Sequence, residues 1–196
     1  MKKNTIILLS VLAVLILSFF SGISIYNDLV TQRENVNSQW ANVESQYQRR
    51  SDLIPNLVAT VKGYATHESS TLEGVVAARA KATQITIDPK NLTPEKLQEY
   101  QAAQGQVSSA LGKLLMITEN YPDLKANQNF LELQAQLEGT ENRISVERNR
   151  FNDVAKEYDI IIQRFPKSII ASLFGFEKKP YFEAEKGSEK APAVKF

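Results

Sequence analysis

The chain has 196 residues, a formal net charge of +1 and no cysteine. That length accommodates one globular domain and an anchor. Without cysteine there are no disulfides, thiolate nucleophiles or cysteine-ligated metals, and the interspersed charges leave no basic track of the kind nucleic acid requires.

Lys2 and Lys3 precede an almost unbroken apolar run over residues 6–26. A helix needs about 20 such residues to cross the hydrocarbon core, so the run reads as an uncleaved transmembrane anchor. A cleaved signal peptide is the alternative, with Gly22-Ile23-Ser24 as its small-x-small pair, but the run exceeds the usual apolar length of such peptides. No cysteine follows, which excludes a lipoprotein. The lysine pair against the lone Arg33 beyond the span puts the N-terminus in the cytoplasm. The remainder is then expected beyond the bacterial cytoplasmic membrane.

Val36, Trp40, Val43, Tyr47, Arg50, Ile54, Leu57, Val61 and Tyr64 recur at alternating steps of four and three. That is the seam of a helix packed lengthwise against others, expected over about residues 27–67. Pro55 interrupts the chemistry but not the phase. It withholds the hydrogen bond that the Ser51 carbonyl would receive, so a kink is expected rather than a turn. Ser70 and Glu73 have the spacing of a capping box for a second helix over about 71–86. That helix carries Leu72, Val75, Val76 and Arg79 on one side.

A loop containing Asp88-Pro89 leads to Thr93-Pro94-Glu95, an N-cap followed by proline at the first helical position. The third helix, about 94–118, has Leu97, Tyr100, Gln104, Val107, Leu111 and Leu114 on its inner face. The fourth, about 125–165, has Phe130, Leu133, Leu137, Ile144, Phe151, Val154, Tyr158, Ile161 and Phe165. The fold class expected is therefore all-α: a transmembrane helix over residues 1–26, then an up-and-down antiparallel four-helix bundle over 27–166. Residues 167–176 form a short apolar helix, too short to span a bilayer. It reads as a cap on the lower end of the bundle, with an interfacial foot as the alternative. Residues 177–196 read as a polar, mobile tail except around Pro180-Tyr181-Phe182.

Several phrases resemble the LemA family of bacterial membrane proteins. After Tyr26-Asn27 and Trp40 comes QRRSDLIPNLV at residues 48–58, then VKGYA at 61–65, His67-Glu68 and Ala78-Arg79-Ala80. ENYPDLKA at 119–126, GTEN at 139–142, the stretch from Phe165-Pro166 to Phe176, and APAVKF at 191–196 follow in order. The resemblance spans nearly the whole chain. It implies a single-pass anchor and a LemA-like bundle in the cell envelope, and carries over no catalytic residue.

The chemistry open to the remaining residues is narrow. His67-Glu68 lacks the second histidine of a metalloprotease helix, since Thr71 stands there. No phosphate loop or nucleophile elbow is present. Arg50 occupies a seam position, so its charge must be paired inside the bundle or reach water along its stem. Glu141 or Glu119 from other helices could pair with it and fix helix register. An anion or peptide-carboxylate site at the kink is the functional alternative. Arg49, Arg50, Asp52, Pro55, His67 and Glu68 are therefore the candidate interaction or register site.

The expected function is a non-enzymatic scaffold or adaptor of the envelope, without cofactor, anchored in the lipid bilayer through residues 6–26. Its partners would be membrane or envelope proteins rather than nucleic acid. The alternative is a lipid-contacting or membrane-shaping protein using the bundle end and segment 169–176.

Overall fold

One helix, α1 (Lys3–Lys62), carries both the apolar run and the first side of the bundle without interruption. It is seen in a computed structural model that describes residues 3–184. At ~1.5 Å per residue α1 is roughly 90 Å long. Its N-terminal part has a window of mean hydropathy 2.5, none of it buried against protein, which is long and apolar enough to cross a membrane. Leu8, Leu17, Phe19 and Phe20 stand 64–70 % exposed. A contiguous apolar surface of that kind calls for a hydrocarbon or protein partner rather than water.

Beyond Leu29 the same helix becomes amphipathic. Val36, Trp40, Val43, Tyr47, Arg50, Ile54, Leu57 and Val61 are all buried, as the alternating steps predict. Pro55 lies inside α1 and the helix runs on past it. Four helices then alternate in direction: α1, α2 (Ser69–Gln84), α3 (Pro94–Thr118) and α5 (Gln128–Gln163). A single turn, α4 (Pro122–Lys125), sits between α3 and α5, and α6 (Lys167–Leu173) follows at the base. Helix α5 lies along α1, while α2 packs on α3 and on the far half of α1.

Several expected boundaries are corrected. Helix α1 stops at Lys62, not at His67. The amides of Tyr64 and Ala65 both turn back to the Val61 carbonyl, which buries Ala65 and leaves Tyr64 42 % exposed. The Ser70–Glu73 capping box does not form, because α2 begins two residues earlier, after Glu68, with no side-chain cap. Val76, a further ~100° round the helix from buried Val75, faces outward. Helix α5 starts at Gln128 because Asn127 caps it, accepting from the Phe130 amide at 3.0 Å. Phe165 lies past the end of α5 and is 81 % exposed. Thr93 does cap α3, accepting from the Lys96 amide.

The interior divides into two apolar zones. The membrane-proximal one joins Leu29, Trp40, Tyr100, Phe151 and Tyr158; the distal one joins Ile54, Leu57, Leu114, Leu124 and Phe130. Because α2 is short, it covers only the distal zone. Ile87 and Leu92 from the following loop, with Phe176 and Phe182 from the C-terminal segment, complete the proximal one.

Around Pro180-Tyr181-Phe182 the segment after α6 is held, as expected, and as far as it is described the rest of it is held too, through Lys179. Phe182 stacks on Trp40 with ring centroids 5.9 Å apart and planes 7° from parallel. Its backbone and the Asn152 amide exchange hydrogen bonds of 2.8 and 2.9 Å, closing a strap over the bundle. Asp159 anchors the same strap, accepting from the Lys179 amide and the Tyr181 hydroxyl. Residues 185–196, which include the APAVKF ending, lie outside the described part.

At the base, α6 packs on both α1 and α5. The Lys167 ammonium donates to Asp28 at 2.6 Å, and that hydrogen bond holds the Asp28 carboxyl below its ordinary range. Tyr26 meets Phe174 and Phe176 at 4.9 and 5.8 Å. The foot of the bundle is thus fastened to α1 where the apolar window ends.

Candidate functional site

A polar layer separates the two apolar zones. Arg50 reaches it from α1 and is 2 % exposed. Its Nη1 donates to Ser108 Oγ at 2.7 Å and to Glu141 Oε1 at 2.8 Å. Its Nη2 donates to the Gln104 side chain at 2.6 Å and to the Gln104 carbonyl at 3.1 Å. One guanidinium thus joins α1, α3 and α5, and a charge-assisted set of this kind is fixed in geometry. Of the two glutamates that could have paired with it, Glu141 does; Glu119 bonds Lys125 at the distal end instead.

A second arginine completes the layer from α2. Pro55 cannot donate to the Ser51 carbonyl, and Arg79 Nε does so at 2.8 Å. The bond ties α2 to α1 across the proline. Between Arg50 and Arg79 lies a cavity of about 160 Å³ bordered by α1, α2 and α3. Glu44, Tyr47, Ser51, Thr83 and Tyr100 also face it. Burial pushes the Glu44 carboxyl up, and burial likewise raises the Tyr47 hydroxyl and, well above its usual range, the Tyr100 hydroxyl. The Ser51 hydroxyl, in a residue 8 % exposed, has no hydrogen-bond partner among the described residues.

Few of the residues singled out in the sequence gather here. Asp52 is not part of the Arg50 network: two positions past Arg50, it is exposed and accepts from Gln48 at 2.7 Å. Arg49 is exposed, about 100° round α1 from Arg50. Pro55 contributes through the carbonyl it leaves free. His67 is exposed in the turn after α1, and Glu68 accepts from the Tyr121 hydroxyl at 3.0 Å, far along the bundle. Among the described residues no group of His, Asp and Glu has the makings of a metal site. Arg79, Ser51 and Glu44 were missed as site residues. The signal for Arg79 was the orphan Ser51 carbonyl, since an orphan acceptor in a packed interior demands a donor.

Fold and site together define a class: a helical bundle built on a membrane-spanning helix, with an ionic layer at mid-height. The model of the LemA family matches residues 39–196. The chain belongs to the LemA family. Among curated proteins it is similar to magnetosome protein MamQ 2 of Paramagnetospirillum magneticum, 28 % identical over 186 residues, covering 86 % of this chain and 68 % of that protein. MamQ of Magnetospirillum gryphiswaldense is 27 % identical with the same coverage. Protein LemA of Metamycoplasma hominis is 23 % identical over 166 residues, 85 % of this chain and 72 % of that one. The chain is a membrane-associated helical protein.

Proposed function

We propose that this protein is a non-enzymatic scaffold or adaptor of the bacterial cell envelope. Its N-terminus would lie in the cytoplasm, with the bundle beyond the cytoplasmic membrane. The observation that carries the reading is that membrane helix and first bundle helix are one continuous element, so the bundle is presented at a fixed height and angle. Helices α3 and α5 flank a cleft of about 440 Å³ lined by Leu111, Gly112, Leu115 and Leu137. An amphipathic helix of a membrane or envelope protein would fit such an apolar groove. A photo-crosslinking residue placed at Met116, which is 71 % exposed beside that cleft, tests the reading in living cells. Discrete protein adducts that vanish when Gly112→Trp fills the cleft are expected. Capture of lipid alone, in repeated experiments, would count against a scaffold.

One observation favours a second, lipid-contacting role. Phe165, Ile169, Leu173 and Phe174 are 81, 58, 73 and 55 % exposed at the base, and Ile170 lies 4.0 Å from where a Cβ on Gly22 would stand. These side chains continue the apolar surface of the anchor at the level where hydrocarbon gives way to headgroups. A spin label at residue 173 in nanodiscs should collide with oxygen rather than with a water-soluble relaxer. The reverse preference would remove this role.

A further inference from the structure

We propose that the cavity between α1, α2 and α3 is a binding site for a small oxyanion, a carboxylate or a phosphate, held by Arg79 and Ser51. Pro55 sets the geometry. Because this proline gives the Ser51 carbonyl no donor, Arg79 Nε takes that place at 2.8 Å. With Nε committed, the two terminal nitrogens are aimed by a planar group that cannot rotate freely. They have no hydrogen-bond acceptor among the described residues. That planar fork matches two oxygens of a carboxylate or phosphate.

The Ser51 hydroxyl supplies the second donor. It lies in a residue 8 % exposed, lines the cavity and has no partner among the described residues. A buried hydroxyl left alone costs roughly 1–3 kcal/mol in proteins, so a ligand that accepts its proton is favoured. The cavity, at about 160 Å³, exceeds what one water needs. Arg50 faces the same space, but its Nη1 and Nη2 are engaged by Ser108, Glu141 and Gln104. It adds positive potential without being free to bind. Glu44 works the other way: its carboxyl lines the cavity and forms no ion pair among the described residues. It sits two helical turns from Ser51 on α1, where it weakens the hold on an anion rather than abolishing it.

The test uses the full chain in detergent, titrated with sodium acetate or sodium phosphate against sodium chloride at constant ionic strength. The Arg79 Nε–Hε resonance is followed by NMR. A saturable shift with either oxyanion, absent with chloride, is expected, and which salt produces it tells a carboxylate site from a phosphate site. In Arg79→Gln the saturable response of the neighbouring Ser51 amide should disappear. Glu44→Gln keeps every donor and removes the opposing charge, so the half-saturation concentration should fall about threefold or more. Linear, non-saturating shifts with both salts would overturn the proposal. So would a folded Glu44→Gln protein that binds no more tightly than the wild type.

Discussion

Pro55 takes a donor out of α1, and a side chain from α2 replaces it. Pro55→Ala would restore the helical donor to Ser51. Stability should rise, but by less than the ~3 kcal/mol an interior proline can cost, because Arg79 already satisfies the carbonyl. Thermal melting measures the gain, and an unchanged or lower midpoint would contradict it. The Arg50 pair is unequal: its arginine side chain is 2 % exposed and its glutamate 41 %. Glu141→Ala strands a buried cation, whereas Arg50→Met removes the charge and leaves Glu141 able to reach water. Glu141→Ala should therefore lose about 2 kcal/mol, in the range of hydrogen bonds to charged groups. Arg50→Met should cost less, because the carboxylate it leaves unpaired is 41 % exposed and hydrated, not buried. Denaturant unfolding separates the two, and the opposite order would show that the arginine, not the pairing, is what matters. A charged residue on an apolar seam was legible as a buried pair from phase alone. Arg79 was not, because its partner is a backbone carbonyl on another helix and only the packing of α2 on α1 brings the two together.

At the scale of elements, the spacing of apolar residues located every long helix and most of the positions they bury, Val76 and Phe165 being among the exceptions. It could not show where α1 ends. Tyr64 continues the pattern by type and by step, yet the amides after Lys62 fold back on Val61, and Ala65 fills the buried place. The sequence marked Pro180-Tyr181-Phe182 as the fixed point of the C-terminal segment, but not the strap around it, since Lys179 and its neighbours are polar and gain their place only through contacts with α5 and the loop before α3. Lys179 donates to the Pro89 carbonyl, and burial lowers its ammonium below the ordinary value. Phe182→Ala should release the strap at a cost of about 3 kcal/mol, the low end for a buried phenylalanine. Trp40, the single tryptophan, would report this as a changed emission with new protease cleavage near the strap. Unaltered emission would mean the ring contact is incidental. Tyr158, beneath the same zone, is buried, and that burial pushes its hydroxyl up to about 12 from 10.0. A raised folded value means the stability it lends is present below pH 10 and lost as pH climbs toward 12. Loss of the folded state in step with tyrosinate absorbance over that window is expected; a protein indifferent to pH there would contradict it.

For the whole molecule, the decisive arrangement is the passage of α1 from bilayer to bundle. A flexible linker would let the domain wander from the membrane; a continuous helix, braced by the Lys167–Asp28 contact and by Tyr26 against Phe174, holds it in place. The orphan carbonyl, the ionic layer, the strap and the foot all then act on a body whose position is fixed. Because the chain has no cysteine, single cysteines can be introduced one at a time over residues 20–36 and spin-labelled in nanodiscs. A mobility pattern with the ~3.6-residue helical period, unbroken from the apolar window into the bundle, is the expected result. A stretch of uniformly mobile labels around residues 24–30 would show a hinge and contradict the account.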